Sequence, residues 1–155
     1  MKVSEAMTHD VRIANPGETI RQAARMMAEI DAGALPVSEN DRLVGMITDR
    51  DIAVRAVAVG KSPDTPIRDV MSSEDVCYCF DDQDIGEVAA NMGDIKVRRL
   101  PVVDRNKRLV GIVSLGDVAL TDGPTNAGDA LCSISEPGGA HSQTGSNGNK
   151  AARRM

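Results

Sequence analysis

One stretch of this chain occurs twice. The segment ALPVSENDRLVGMITDRDIAV begins at Ala34, and RLPVVDRNKRLVGIVSLGDVAL begins at Arg99. Pro36 and Pro101 lie 65 residues apart, and Gly45 and Gly111 lie 66 apart because the second turn is one residue longer. Upstream, Ile20, Ala23, Ala24, Met27 and Ile30 answer Ile85, Val88, Ala89, Met92 and Ile95, each at a spacing of 65. VSEAM, ending at Met7, answers IRDVM, ending at Met71. A repeat of this length constrains the fold more than any single motif. Two copies are too few for a solenoid. A unit of roughly 65 residues buries only about 60% of the surface its unfolded chain exposes, so the two copies are expected to close on each other and share a core.

Each copy reads as strand, helix, strand, strand, helix. A short extended piece over 11–14, or 76–79, comes first. An amphipathic helix follows over 17–31, or 82–95, with apolar residues at three- and four-residue steps. Two Val- and Ile-rich strands flank a polar turn, END in one copy and DRNK in the other. A last helix begins near Thr48 or Ser114. The expected fold is α+β, with two tandem β-α-β-β-α repeats (1–62 and 63–122) packed through their sheets about a pseudo-twofold axis. Beyond residue 122 the periodicity stops. Six of the 14 glycines fall there, and 123–155 is expected to be a largely disordered tail, with room for a short helix around 127–132.

The core must be aliphatic, since the chain has no Trp, one Tyr and one Phe. The net charge of −5 argues against nucleic-acid binding, which needs a basic face. The lack of aromatic residues removes the stacking platform for single strands. No apolar run approaches the roughly 20 residues needed to span a bilayer, and the opening MKVSEAMTHD lacks the apolar segment of a secretory signal. A cytoplasmic protein without membrane partners is expected. Three cysteines, an odd number, do not describe a disulfide framework.

The chemistry-bearing feature is a hydroxyl and a carboxylate three residues apart at a helix start: Thr48 with Asp51, and Ser114 with Asp117. A capping box accounts for this spacing without any ligand. A nucleoside site uses the same parts, because a carboxylate beside a helix start accepts hydrogen bonds from vicinal ribose hydroxyls. The two readings are compatible, since a capping carboxylate keeps a free lone pair.

The doubled pattern of Leu-Pro-Val followed by Gly, an apolar residue, one variable residue, Thr or Ser, two variable residues and Asp resembles a tandem pair of CBS domains, over residues 1 to about 120. That resemblance implies a regulatory module without catalysis. It would bind AMP, ADP, ATP or NAD in clefts between the repeats, signal energy state to an unidentified effector protein, and form a homodimer. It also implies that the aspartate of one copy holds ribose while residues before the Leu-Pro of the other copy meet base or phosphate. One site would then join Thr48 and Asp51 to Arg98, Arg99, Val76, Tyr78 and Cys79. The second would join Ser114 and Asp117 to Gly33, Ala34, Val11 and Ile13. The site holding Arg98 and Arg99 is expected to take the more highly charged ligand, because guanidinium suits phosphate. A solvated basic strand face is the alternative for these arginines.

A rival reading makes both acid motifs helix caps only, in a structural or metal- and redox-responsive protein. Cys77 and Cys79, with His9 or His141, would be the zinc ligands. A C-x-C pair on a strand also reads as ordinary core, and no metal is expected. No P-loop or nucleophile motif is present, and an enzyme is not expected.

Overall fold

The computed structural model describes residues 1–74 and 76–137. In chain order the elements are α1 (Val3–Ala6), α2 (Ile20–Ile30), β1 (Ala34–Glu39), β2 (Arg42–Thr48), α3 (Asp49–Asp51), β3 (Cys79–Phe80), α4 (Ile85–Ile95), β4 (Arg99–Val103), β5 (Leu109–Ser114), α5 (Leu115–Thr121) and α6 (Pro124–Ser135). The helical path of α3 continues as a π turn over Ile52–Ala56 and a 3-10 turn over Val57–Val59. β1 and β2 form one sheet, and β3, β4 and β5 form another in that order.

Two compact units emerge, and they do not follow the repeat boundaries. The first-repeat unit holds His9–Tyr78 with Val103–Gly111. The second-repeat unit holds Met1–Thr8, Cys79–Val102 and, among the described residues, 112–137. The segment that opens each repeat is thus built into the other repeat's unit. In the second-repeat unit, Val3 N donates to Gln83 O (2.9 Å), Ile85 N donates to Met1 O (2.9 Å), and Val3 is wholly buried. In the first-repeat unit, Ile67 N donates to Glu18 O (2.8 Å), and Ile67 and Val70 join the core with Ala14, Ile20, Ala23, Met27, Leu35, Val37, Ile47 and Ala56.

The helices begin later than periodicity alone suggests, because side-chain caps set their starts. Thr19 caps α2: its hydroxyl accepts from Gln22 N (3.2 Å), and Gln22 Oε1 accepts from Thr19 N (2.8 Å). Gly17 lies in a turn before the helix, with its N–H held by Asn15 Oδ1 at 2.9 Å. Asp84 caps α4 through Gly86 N and Glu87 N. Both helices end on a left-handed residue, Asp31 or Lys96, again 65 apart. The β1–β2 hairpin turns on Asn40 and Asp41, both at positive φ, the backbone that matches strand twist in a two-residue loop.

The expected strand over 11–14 shrinks to one bridge between Ala14 and Val37. The cause is Pro36. Ala14 N donates to Pro36 O (3.0 Å) and Ser38 N donates to Ala14 O (2.9 Å). The next rung of a parallel ladder would need an N–H on Pro36, which proline lacks. Pro101 stands at the matching place in β4, and β3 is correspondingly only two residues long. Proline is tolerated in β1 because Met46, opposite it, turns its own N–H and C=O to Ser72 (3.0 and 2.9 Å).

Part of the stretch expected to be without order is helical. α6 folds back on α4 and α5, burying Ala127 and Ala130. Its docking surface is made by small residues: a Cβ on Gly93 would lie 3.2 Å from Ala130 Cα. The repeat comparison carried this signal, since Arg21, Arg25 and Ala28 of α2 become Gly86, Ala90 and Gly93 in α4. The remainder of the expected tail, 138–155, lies outside the described residues.

Two glycines of the repeated unit differ in what surrounds them. A Cβ on Gly45 would sit 2.7 Å from the backbone oxygen of Ser72, whereas Gly116, inside α5, has no neighbour nearer than Ser114 Oγ at 3.5 Å. Gly45→Ala is expected to lower stability by about 1–3 kcal/mol. Gly116→Ala is expected to raise it by about 0.5–1 kcal/mol, through the helix preference for alanine. Denaturant unfolding of the unliganded protein measures both.

Candidate functional site

Each repeat delivers its hydroxyl–carboxylate pair at a strand-to-helix junction, and the two junctions are near copies. Thr48 ends β2 and caps α3 with φ/ψ of −118°/161°. Ser114 ends β5 and caps α5 with −113°/161°. Asp51 N donates to Thr48 Oγ1 (3.0 Å), and Thr48 N donates to Asp51 Oδ2 (3.0 Å). Asp117 N donates to Ser114 Oγ (3.1 Å), and Ser114 N donates to Asp117 Oδ2 (2.8 Å). The capping box therefore exists in both copies.

Each box leaves one carboxylate oxygen over. Asp51 Oδ1 lies 3.9 Å from Arg55 Nε, with the Asp51 side chain only 15% exposed. Arg55 also donates to Val70 O and Met71 O, both at 3.3 Å, which holds it beside the carboxylate. Asp117 Oδ1 has no bonding partner among the described residues. Each second oxygen is an acceptor of the kind a pair of sugar hydroxyls requires.

The hairpin decides what stands next to each junction. Antiparallel register places Ala34 opposite Thr48, and Asp49 N donates to Gly33 O at 2.9 Å. In the second-repeat unit, Leu115 N donates to Arg98 O at 2.8 Å. The family resemblance pairs Arg98 and Arg99 with Thr48 and Asp51, and Gly33 and Ala34 with Ser114 and Asp117, across the repeats. Within each unit, hydrogen bonding joins Gly33 to the Thr48 junction and Arg98 to the Ser114 junction. The reason is local: the start of the first hairpin strand must lie beside the end of the second.

The surroundings of the two junctions differ in charge. Arg98 is exposed and Arg99 half-buried. Gly33 faces the Asp49 carboxylate so closely that a Cβ there would lie 2.7 Å from Asp49 Oδ2. Where the second copy has an arginine and a leucine, the first has a glycine and an aspartate. This paired exchange was visible in the alignment of the copies, but its contact was not.

Of the remaining expected site residues, Val11 and Val76 are half-buried, and Ile13 is exposed. Tyr78 is 40% exposed. Its hydroxyl accepts from Lys107 Nζ, and that ammonium also lies 4.6 Å from its ring centroid, an attractive placement over the π face. Cys79 is buried, with its Sγ 3.9 Å from Pro101 O. Burial, reinforced by the Asp81 charge, pushes its thiol up to about 12. Cys77 is exposed and lies outside β3, whereas Cys79 is buried within it. A protonated, buried Cys79 is a poor metal ligand, because zinc takes the thiolate. No group of three metal-ligating side chains occurs among the described residues, and His141 lies outside them. No helix among them is long and apolar enough to cross a membrane.

Comparison with known proteins agrees with this architecture. The CBS-domain family profile matches residues 3–57 and again 63–121. The chain belongs to the CBS-domain family, as a tandem pair. It is 42% identical over 134 residues to the CBS domain-containing protein YhcV of Bacillus subtilis, covering 86% of this chain and 94% of that one. The crystal structure of Hypoxic Response Protein I with two coordinated zinc ions superposes with a TM-score of 0.71 at 36% identity, covering 78% of this chain and 98% of that one. The CBS domain pair of protein MJ0100, in complex with 5′-methylthioadenosine and S-adenosyl-L-methionine, gives 0.69 at 28% identity, covering 80% and 97%. Stand-alone pairs of this family are typically regulatory rather than catalytic.

The cysteine environments lead to two expectations. Cys77 and Cys132 are exposed and should react promptly with a thiol reagent in the native protein, while Cys79 reacts only on unfolding. An unfolded thiol titrates near 9.0 and the folded one near 12. The folded state therefore binds the extra proton between these values, and stability falls as pH rises through that window. Denaturant midpoints at pH 8 and pH 10 should fall more steeply for the native chain than for Cys79→Ala.

Proposed function

We propose that this protein is a non-catalytic regulatory module that binds an adenosine ligand (AMP, ADP, ATP or NAD) at its two strand-to-helix junctions. Asp51 and Asp117 each accept hydrogen bonds from the ribose hydroxyls through the oxygen left over by the capping box. The observation that carries this reading is the duplicated junction itself. A helix start needs a cap only once per helix, and caps are free to vary. Here the same hydroxyl, carboxylate and backbone angles recur in both copies. The adenosine compounds bound by MJ0100's CBS pair support the ligand class.

The ligand preferences of the junctions follow from their neighbours. Arg98, whose carbonyl accepts from Leu115 N, and Arg99 begin the hairpin that ends at Ser114, so we assign the phosphate-bearing ligand to that junction. The Thr48 junction, with Asp49 against Gly33, disfavours phosphate and takes a less charged adenosine group. This allocation differs from the cross-repeat pairing expected from the sequence, and the preference of guanidinium for phosphate is the same in both. Ligand binding acts on an effector protein only through different affinity for two states of the module.

With no Trp and one Tyr, the protein absorbs weakly near 280 nm, and copurified adenine would dominate near 260 nm. Ligand at 100 times its Kd should stabilise the fold by about 2.7 kcal/mol. Asp117→Asn keeps an acceptor for Ser114 N, so its unliganded stability should change by less than about 1 kcal/mol, while the response to ATP is lost. Asp51→Asn should leave that response in place and remove the response to adenosine. If neither nucleotides nor adenosine shift the native protein, both boxes are caps and the reading is wrong.

A further inference from the structure

The two junctions share their geometry but not their connections. Four residues beyond each acid, the first copy has Arg55 and the second has Thr121. Thr121 stays within its own helix, where its hydroxyl donates to Asp117 O at 2.6 Å. Arg55 reaches out of its helix. Its Nη1 donates to Val70 O and Met71 O, both at 3.3 Å, and its Nε lies 3.9 Å from Asp51 Oδ1. One guanidinium therefore stands between the acid proposed to hold ribose and the opening segment of the second repeat.

The backbone differs at the same place. Straight after Asp51 the helix widens into a π turn over Ile52–Ala56, and Arg55 lies in it. α5 stays α-helical from Leu115 to Thr121. π turns are uncommon and recur at functional sites. The segment that Arg55 holds is tied in turn to β2. Val70 is buried in the core. Ser72 N donates to Met46 O (2.9 Å) and Met46 N donates to Ser72 O (3.0 Å), two residues before Thr48. The second-repeat unit repeats this pairing between Thr8 and Ile112, at 2.9 and 3.1 Å, two residues before Ser114. Among the described residues, Thr121 makes no bond to that segment.

Magnitude decides what the Arg55 link is for. An ion pair at 3.9 Å, with the arginine side chain 54% exposed, adds little stability. Orientation is a different matter. Thr48 N holds Asp51 Oδ2 at 3.0 Å, which fixes one oxygen and leaves the carboxylate free to swing about it. A planar guanidinium pinned by two carbonyls sets where the other oxygen points. An ionised carboxylate oxygen has lone pairs for both Nε and a sugar hydroxyl. On the reading of Asp51 as a ribose acceptor, we propose that Arg55 is the positioning residue of the Thr48 junction, and that it couples a ligand there to Val70, Met71 and Ser72. Such coupling is reciprocal. A sugar that settles Asp51 steadies Arg55 and the segment beyond it, and loss of Arg55 weakens the sugar. The Asp117 junction binds its ligand without this consequence, so the two junctions differ in what they transmit.

The test is hydrogen exchange at single amides, with calorimetry, on the full chain and on Arg55→Ala and Arg55→Lys, using adenosine and ATP. In the native chain adenosine should slow exchange at Ser72 N by about fivefold or more. ATP at the Asp117 junction should leave the counterpart amide, Thr8 N, unchanged. Arg55→Ala should weaken adenosine about tenfold, speed exchange at Ser72 N without ligand, and abolish its response to adenosine. ATP binding should persist in this variant, which shows that it is folded. Arg55→Lys restores the charge but not the planar fork, and should recover little of either effect. Full recovery with lysine reduces the role to bare charge and overturns the positioning. Adenosine that binds Arg55→Ala as well as the native chain, or more tightly, or that leaves Ser72 N unmoved, overturns the coupling while the ribose reading stands. Adenosine that does not bind the native chain defeats the ribose reading itself, and the coupling with it.

Discussion

Much of this molecule depends on one hydrogen bond made twice, from the first helical N–H after each hairpin to the carbonyl of the residue just before that hairpin. Asp49 N to Gly33 O and Leu115 N to Arg98 O, at 2.9 and 2.8 Å, tie strand end, helix start and hairpin entry into one rigid corner. A helix start has unsatisfied N–H groups, and here one is met by main chain from the neighbouring strand. A second, on Asp51 or Asp117, is met by the hydroxyl of Thr48 or Ser114. The carboxylates of Asp51 and Asp117 are thereby held in one orientation, each with an oxygen to spare.

Proline acts on the same corner from the other side. Pro36 and Pro101 sit in the strands that enter the corners. By lacking an N–H, Pro36 stops the ladder with the preceding segment after one bridge. That segment is consequently extended but largely unpaired, and side chains such as Ile13 and Tyr78 remain accessible. The Leu-Pro pair thus sets where regular structure ends, and its effect on any ligand is indirect.

The helices, hairpins and duplicated corners were legible because they rest on local rules. Ile20, Ala23 and Met27 fall on one helical face, and their partners Ile85, Val88 and Met92 do the same. Asn40-Asp41 favours the left-handed backbone a two-residue hairpin needs. Three features escaped. The helix starts depended on side-chain caps at Thr19 and Asp84 rather than on periodicity. The exchange of the opening segments, with Val3 buried in one unit and Ile67 in the other, leaves no trace in composition, since both copies of the segment are equally apolar. The weakly patterned α6 was hidden because its inward face is alanine, and its docking partner is an absence of bulk at Gly93.

The amino-acid sequence by itself determined that the fold would be built from two equal copies, and that each would carry a hydroxyl and an acid at a helix start, because repeat spacing and capping chemistry are properties of neighbouring residues. Only the tertiary structure decided which part of the chain stands beside each helix start. The Arg98 carbonyl meets Leu115 N, and the Gly33 carbonyl meets Asp49 N, because antiparallel pairing returns the chain beside residues some fifteen positions away. That return is set by backbone hydrogen bonds, which every residue but proline can make, so side-chain identity alone cannot announce where it will fall.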